Sequence, residues 1–435
     1  MRLYKEVLAI PVLLKVIILF GLILTLNRLR LHLGLSVLLG SLALGFWMGL
    51  GPLQWAAIAL ASATRLQTIS LVLVVGLILV ISRLMEETGH LDRLVQSFSR
   101  LSRDARIVGT FMSALIGLLP MPGGALFSAP MVETSLATQS VTKEQKTILN
   151  YWFRHVWEYW WPLYPGVVLA VALLKVETWR YMLFAAPLSV VAILAGVIFV
   201  LGPMKRQKAK HQGGLSPTAV KTFLWEMMPI SIVVFVIIIL AGLLRILGLF
   251  GFHIQLPGAF SILPGLMASI LWVCRVNHIS SGQLGASFLN RHIFPMLFLV
   301  LTIMIFQGLL IESQAVIYIR NELVAYGIPL MLIVIVMPFL SGFVTGISIG
   351  FVGTSFPLLI PMFPTNPLWD YLSFAALGYA FGFMGTMVSP VHICFLVTKD
   401  YYEANWVKSY RHLMLPVLTF LLTVTCLFFL FRAVT

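Results

Sequence analysis

The stretch Pro120-Met-Pro-Gly-Gly-Ala-Leu-Phe-Ser-Ala-Pro130 decides how this chain is read, because it sets three prolines and a glycine pair inside an apolar run. Proline removes a backbone donor and breaks a helix, and glycine weakens one. In water such a stretch is a loop. Within a bilayer it survives only where protein or a wet cavity satisfies the freed backbone groups.

The surrounding composition places it in a bilayer. The chain has 435 residues, 60% of them hydrophobic and 10% charged, with a mean hydropathy of +0.99, far from the soluble balance. Apolar runs of about 20 residues, the length that crosses roughly 30 Å of hydrocarbon, recur from end to end and leave no sizeable soluble domain. Lipid is therefore the first partner. The net charge of +14 does not indicate nucleic acid, because the Lys and Arg lie in short loops between spans, as the positive-inside rule describes. Cys274, Cys394 and Cys426 lie in apolar segments without Cys-x-x-Cys spacing, so they read as small core residues and support neither a disulfide framework nor a cysteine metal site. The first apolar run reaches about Thr25 without a small-residue cleavage site and reads as a membrane helix rather than a signal peptide.

Hydropathy predicts spans over roughly 4–26, 33–50, 67–87, 148–174, 179–203, 224–249, 258–275, 292–312, 371–397 and 407–432. Residues 105–140 and 325–364 are each too long for one helix and are broken near the middle by Gly and Pro, so they read as hairpins that enter and leave on one side. The halves share an order of parts. At an offset near 225, Glu87 aligns with Glu312, Pro165 with Pro390 and Trp179 with Trp406, and the first tip falls against Val344–Pro357, "VTGISIGFVGTSFP". An odd number of spans per half turns the second half upside down.

The predicted fold is an all-α integral membrane protein of two inverted repeats of five transmembrane helices, each with a re-entrant hairpin and a broken helix. Residues 1–203 form the first repeat, with its hairpin at about 105–140 and broken helix at about 148–174. Residues 204–221 form a basic linker. Residues 222–435 form the second repeat, with its hairpin at about 325–364 and broken helix at about 371–397. Most basic residues, including Arg28, Arg83, Arg106, Lys143, Lys146, Lys208, Arg275 and Lys408, fall on the linker's side. That bias puts the linker in the cytoplasm and both termini outside a multi-pass cell membrane protein.

Non-helical backbone is expected at the tips (120–130 and 342–356) and at the breaks Trp161–Gly166 and Met384–Pro390. Inverted symmetry gathers these near mid-membrane, where helix N-termini face anions and freed carbonyls face cations. Pro122, Gly123, Gly124, Ser128, Thr345, Gly346, Thr354 and Ser355 become candidate substrate contacts, and a sodium ion is placed near Gly124, Pro165, Gly353 and Ser389. In the segment Asn150–Gly166, Arg154 and Glu158 share a face if the helix continues, with His155 beside them. A helix starting near 148 puts Arg154 only about 9 Å from its end at ~1.5 Å per residue, where an interfacial ion pair is the plain reading. The alternative makes Arg154 a carboxylate or phosphate binder and gives the coupling proton to Glu158 or His155. Glu133, Thr386, Ser389 and His392 complete the candidate ion-coupling set. Trp152, Trp157, Trp160 and Trp161 read as an aromatic belt, Glu87 and Glu312 as helix ends met by water, and Lys15 as half of a helix or subunit contact.

Three helices, a surface segment, a glycine-rich hairpin, a broken helix and a last helix, duplicated with inversion, resemble the Ion Transporter superfamily across essentially the whole chain. The tips "LLPMPGGALFSAPMVE" and "GFVTGISIGFVGTSFPLL" are similar to those of the prokaryotic membrane family catalogued as domain of unknown function 401. Resemblance to the superfamily implies homodimers joined by scaffold helices, and a transport domain of hairpins and broken helices that moves by an elevator motion. In its divalent anion symporters a Ser-Asn-Thr motif at each tip binds substrate carboxylate beside sodium. This chain has Pro122-Gly123-Gly124 and Thr345-Gly346 there, with no asparagine. The expected function is secondary active transport of a small anionic solute, coupled to sodium or protons, with no other cofactor. A membrane-embedded enzyme using His155, Glu158 or Glu133 is the alternative, and a passive channel is the third; neither a His-Glu-x-x-His set nor a Gly-x-Ser-x-Gly elbow supports an enzyme.

Overall fold

The computed structural model describes residues 10–99, 104–121, 124–137, 140–204, 217–252, 258–291 and 293–434. The expected site residues Pro122 and Gly123, and most of the basic linker, lie outside them. Among the described residues the chain is helical and has no strand. The order is α1 (Val12–Arg28), α2 (Leu33–Trp47), α3 (Pro52–Thr64), α4 (Leu66–Glu87), α5 (His90–Ser99), α6 (Ala105–Ile116), α7 (Gly124–Leu136), α8 (Lys143–Arg154), α9 (Pro165–Leu174) and α10 (Thr178–Gly196). After the linker come α11 (Pro217–Glu226), α12 (Met228–Leu249), α13 (Leu263–Val276), α14 (Ser281–Phe288), α15 (Ile293–Glu312), α16 (Ala315–Ala325), α17 (Leu330–Thr345), α18 (Ser348–Leu359), α19 (Leu368–Met387), α20 (Ile393–Tyr402) and α21 (Trp406–Val434).

Six helical segments among the described residues are long and apolar enough to cross a bilayer: Leu66–Glu87, Thr178–Leu201, Met228–Leu249, Ala259–Val276, Ile293–Glu312 and Trp406–Ala433. Large apolar side chains on α12, among them Phe235, Ile238 and Leu243, point away from the protein. A surface of that kind needs lipid against it. The chain is a multi-pass helical membrane protein.

The remaining expected spans take other forms. Residues 33–50 give a shorter helix, α2. The runs 148–174 and 371–397 divide into α8 with α9 and α19 with α20, separated by non-helical residues 155–164 and 388–392. The runs expected as hairpins hold paired helices, α6 against α7 and α17 against α18. Their tips are shorter than expected. Helix resumes at Gly124, carrying Pro130 inside it, and only Gly346 and Ile347 separate α17 from α18. Gly346 turns the chain with φ +66°, a value glycine adopts without strain. Helix α3 lies outside the hydropathy scheme.

Buried contacts locate the packed centre. Helices α8, α9, α18 and α19 are buried over most of their length, whereas α12 and α21 are largely exposed. Glycines allow α17 and α19 to approach at backbone distance: a Cβ on Gly342 would collide with the Gly382 carbonyl, and one on Gly385 with that of Phe339. Lys15 falls in the first turn of α1, near the charge of Glu322. The Glu322 carboxylate accepts the Val12 and Leu13 amides at 2.7 and 2.6 Å, so the acid answers two donors left free at that helix start. Glu87 pairs with Arg83 at 2.6 Å and Glu312 with Arg65 at 3.2 Å, so ion pairs stand where water was expected.

Candidate functional site

Helix α8 starts earlier than hydropathy suggests because Thr142 and Gln145 form a capping box. The Gln145 amide donates to Thr142 Oγ1 at 3.2 Å, and the Thr142 amide donates to Gln145 Oε1 at 3.1 Å. The helix ends at Arg154, so Arg154 and Glu158 do not share a helix face and the expected i,i+4 pair is absent. The interfacial reading of Arg154 also fails, because α8 carries it about 16 Å from the helix start at ~1.5 Å per residue and leaves it 3% exposed.

Ten residues then run without helix, and aromatic donors hold them in place. Trp157 Nε1 donates to the Ala114 carbonyl at 2.9 Å, Trp161 Nε1 to Leu118 at 3.0 Å, and the Tyr164 hydroxyl to Gly117. Those carbonyls lie at the C-terminal end of α6, where intrahelical partners run out. On the other side, Trp160 Nε1 donates to Ser189 Oγ at 2.8 Å, Ser189 Oγ donates to the Val156 carbonyl, and Trp152 Nε1 donates to Ala192 at 2.9 Å. The tryptophans are internal ties, which overturns the aromatic-belt expectation.

The second break meets the first. The Tyr151 hydroxyl donates to the Met387 carbonyl at 2.8 Å, and His155 Nε2 lies 3.3 Å from His392 Nε2. The His155 amide turns to Trp152, so its ring Nδ1 donates to Tyr151 O, the carbonyl an unbroken helix would have used, at 2.6 Å. Glu158 Oε1 is 3.7 Å from His155 Nε2, beside the Ser348 and Tyr164 hydroxyls and in the field of Arg154. Arg154 Nη2 donates to the Met121 carbonyl at 3.3 Å and lies against Gly124, whereas Nη1 has no hydrogen-bond partner among the described residues. Gly166 packs closely against Ser348, where an added Cβ would stand 2.9 Å from Ser348 Cβ, short of ordinary contact distance. The starts of α7, α9, α18 and α20 are thus drawn around Arg154, His155, Glu158 and His392. Among the described residues, no side chain caps the starts of α9, α18 or α20.

Other expected site residues stand apart or are otherwise engaged. Glu133 sits on α7 with Lys146 Nζ at 2.8 Å, about half exposed and away from the histidines. The hydroxyls of Ser128, Ser355 and Thr386 donate to carbonyls of their own helices. Thr354 donates to Gly350 and meets Ser341 across the second hairpin. Gly353 faces Ile303 of α15. Ser389 donates to the Phe343 carbonyl at 2.6 Å, joining the second break to α17, and Thr345 donates to Ser341 at 2.7 Å. Pro165 opens α9 at its first position. Gly346 backs onto the His392 amide.

Sequence reasoning missed Cys394. It is half-buried, not core filler, and its Sγ lies within 4.8 Å of a ring nitrogen of both His155 and His392. Cys426 is exposed. The available signal was His392-x-Cys394 directly after a break whose counterpart carries His155.

A helical multi-pass membrane protein, with a buried charged site where two interrupted helices meet two hairpin ends, is the class these observations define. The chain belongs to the family described as "Protein of unknown function (DUF401)", whose profile matches residues 9–430. Comparison with curated proteins finds no match.

Gly117 tests how tightly the first break is seated. A Cβ there would collide with the Arg154 carbonyl, which is backbone and has little freedom to yield. Gly117→Ala is expected to lower the stability of detergent-purified protein by about 1–3 kcal/mol or more, whereas Gly242→Ala, facing open space, changes it by a fraction of that. Equal thermal-melting shifts for both variants would contradict the seating described.

Proposed function

We propose that the chain is a secondary active transporter of a small anionic solute. The observation that carries this reading is Arg154, a buried guanidinium with a free Nη1, placed among the starts of α7, α9, α18 and α20. Each helix start carries roughly half a positive charge, and uncapped N–H groups there suit carboxylate or phosphate oxygens. A buried cation is costly unless a countercharge comes with it. Glu158 is the resident countercharge. When Glu158 takes a proton, the field of Arg154 and the helix starts is left unbalanced, and an anion from solution can answer it. When Glu158 gives the proton up, it competes with that anion. Proton and anion therefore bind together and leave together, which is symport.

Sodium is the second coupling ion in this reading. The proton is better supported, because Thr354, Ser355 and Thr386 spend their hydroxyls on carbonyls of their own helices. The order of hairpin, broken helix and last helix in each half supports two inverted repeats with re-entrant hairpins, as in the Ion Transporter superfamily. On that basis the hairpins and broken helices move as an elevator against scaffold helices that join two copies into a homodimer. The basic bias of the linker side supports a cytoplasmic linker and external termini in the cell membrane. A C-terminal reporter that reads as external agrees with this orientation, and one that reads as cytoplasmic overturns it.

Reconstituted vesicles test the transport claim. Labelled organic anions are expected to accumulate under an imposed proton gradient, and a protonophore should abolish accumulation. Glu158→Gln should keep anion exchange while losing gradient-driven accumulation, and Arg154→Gln should lower both by about tenfold or more. Uptake that persists unchanged when proton and sodium gradients are collapsed would point to a passive route. Chemical conversion of the anion by detergent-purified protein would point to an enzyme.

A further inference from the structure

We infer that His155, His392 and Cys394 form a binding site for a thiophilic divalent cation of the zinc type. The three side chains come from both breaks: His155 follows α8 directly, while His392 and Cys394 flank the start of α20. One ring nitrogen of each histidine and the Cys394 sulfur all lie within 4.8 Å of one another. Two imidazoles and a thiolate are the donor set that favours zinc and its neighbours over sodium, calcium or magnesium.

The protonation pattern points the same way. His155 donates its Nδ1 proton to the Tyr151 carbonyl at 2.6 Å, which leaves a lone pair on Nε2 in the neutral ring. That lone pair faces His392 Nε2 at 3.3 Å. His392 is 7% exposed; its Nδ1 has no hydrogen-bond partner among the described residues, although the Gly346 backbone lies beside the ring. If His392 carries its proton on Nε2, it serves His155 and strands Nδ1. If it carries the proton on Nδ1, two lone pairs face each other in a buried space, with the Cys394 thiol beside His155 left to answer them. A cation between the Nε2 atoms takes up both lone pairs, with the His155 Nδ1–H on the Tyr151 carbonyl, as in metal-bound histidines generally, and the His392 Nδ1–H beside the Gly346 backbone. The spacing of the two nitrogens fits as it stands: on tetrahedral zinc at ~2.0–2.1 Å they would be about 3.3–3.4 Å apart, against 3.3 Å here, whereas the Cys394 sulfur, within 4.8 Å of them, has to close in to reach the ~3.5 Å that a shared zinc requires.

Charge balance is available on the spot. A divalent ion with the Cys394 thiolate keeps one positive charge, and Glu158, whose Oε1 is 3.7 Å from His155 Nε2, is the next anionic donor. It can supply the fourth ligand or leave that place to an exchangeable one. Because the ligands belong to both breaks, the bound ion would join them, and this holds whether or not the protein transports an anion.

The test uses tag-free, full-length protein in detergent, stripped with a chelator, re-equilibrated with zinc or cobalt alone and freed of excess metal. One zinc per chain is expected, and cobalt should show near-ultraviolet thiolate charge transfer. Cys394→Ser, a one-atom change, should abolish that band, and His392→Gln should weaken zinc binding by at least about tenfold. Each variant is compared with the wild type by gel filtration and metal-free melting, so loss of fold is told apart from loss of a ligand. Absence of stoichiometric metal from the wild type, or zinc binding unchanged in both variants, overturns the inference. Vesicle transport of the anion is read separately, so the two proposals fail independently.

Discussion

The break between Arg154 and Pro165 imposes the constraint on which the rest of the structure depends. A chain that stops being helical inside an apolar protein releases carbonyls and amides that water cannot reach, at a cost of several kcal/mol for each one left unpaired. Here short turns pair part of the break's own backbone, with Glu158 N on His155 O and Tyr164 N on Trp161 O, and its aromatic side chains turn to the neighbouring helix end. Trp157, Trp161 and Tyr164 reach the carbonyls where α6 ends, and Ser189 reaches back to Val156. The break thus supplies partners to the end of α6, and α10 returns one to the break. The second break follows the same logic with Tyr151, Ser389 and Tyr410, whose hydroxyls serve Met387, Phe343 and Val388.

Seating the breaks this way has a chemical result. Helix α8 delivers Arg154 to the end of its run and stops, so a guanidinium sits among helix starts instead of at a surface. Glu158, the buried acid of the same break, lies within the field of that charge. The histidines arrive by the same route, since each is the first residue released by, or the last before, a helix bordering a break. Packing and chemistry are therefore one arrangement: the groups that could act on a solute or an ion are those brought in by the interruptions.

Much of this was legible in the sequence. Proline and glycine marked both hairpins and both breaks to within several residues, because they report directly on where helix cannot continue. Composition was enough to place the chain in a bilayer. The failures have particular causes. Hydropathy started α8 near residue 148 because Lys143, Glu144, Gln145 and Lys146 are polar, although Thr142-x-x-Gln145 is a capping box and was visible. That one displacement made Arg154 look interfacial and paired it with Glu158. The tryptophans were assigned to a belt because indole rings favour interfaces, yet an indole N–H is equally suited to a stranded carbonyl, and only the fold says which is nearer. Cys394 was invisible as a partner because its histidines stand at 155 and 392, and no local spacing encodes a contact across the two halves.

The central claim is that the two breaks meet face to face, and it can be tested without knowing any ligand. With Cys274, Cys394 and Cys426 replaced by serine, cysteines are placed at 155 and 392, a protease site is inserted between residues 205 and 216, and a short bifunctional thiol reagent is applied. Lys143→Cys with Glu403→Cys, positions joined by a 2.8 Å ion pair across the halves, is the positive control. The account predicts that after cleavage the two halves stay joined in both proteins. Halves that separate in the 155/392 protein while the control stays joined would contradict it.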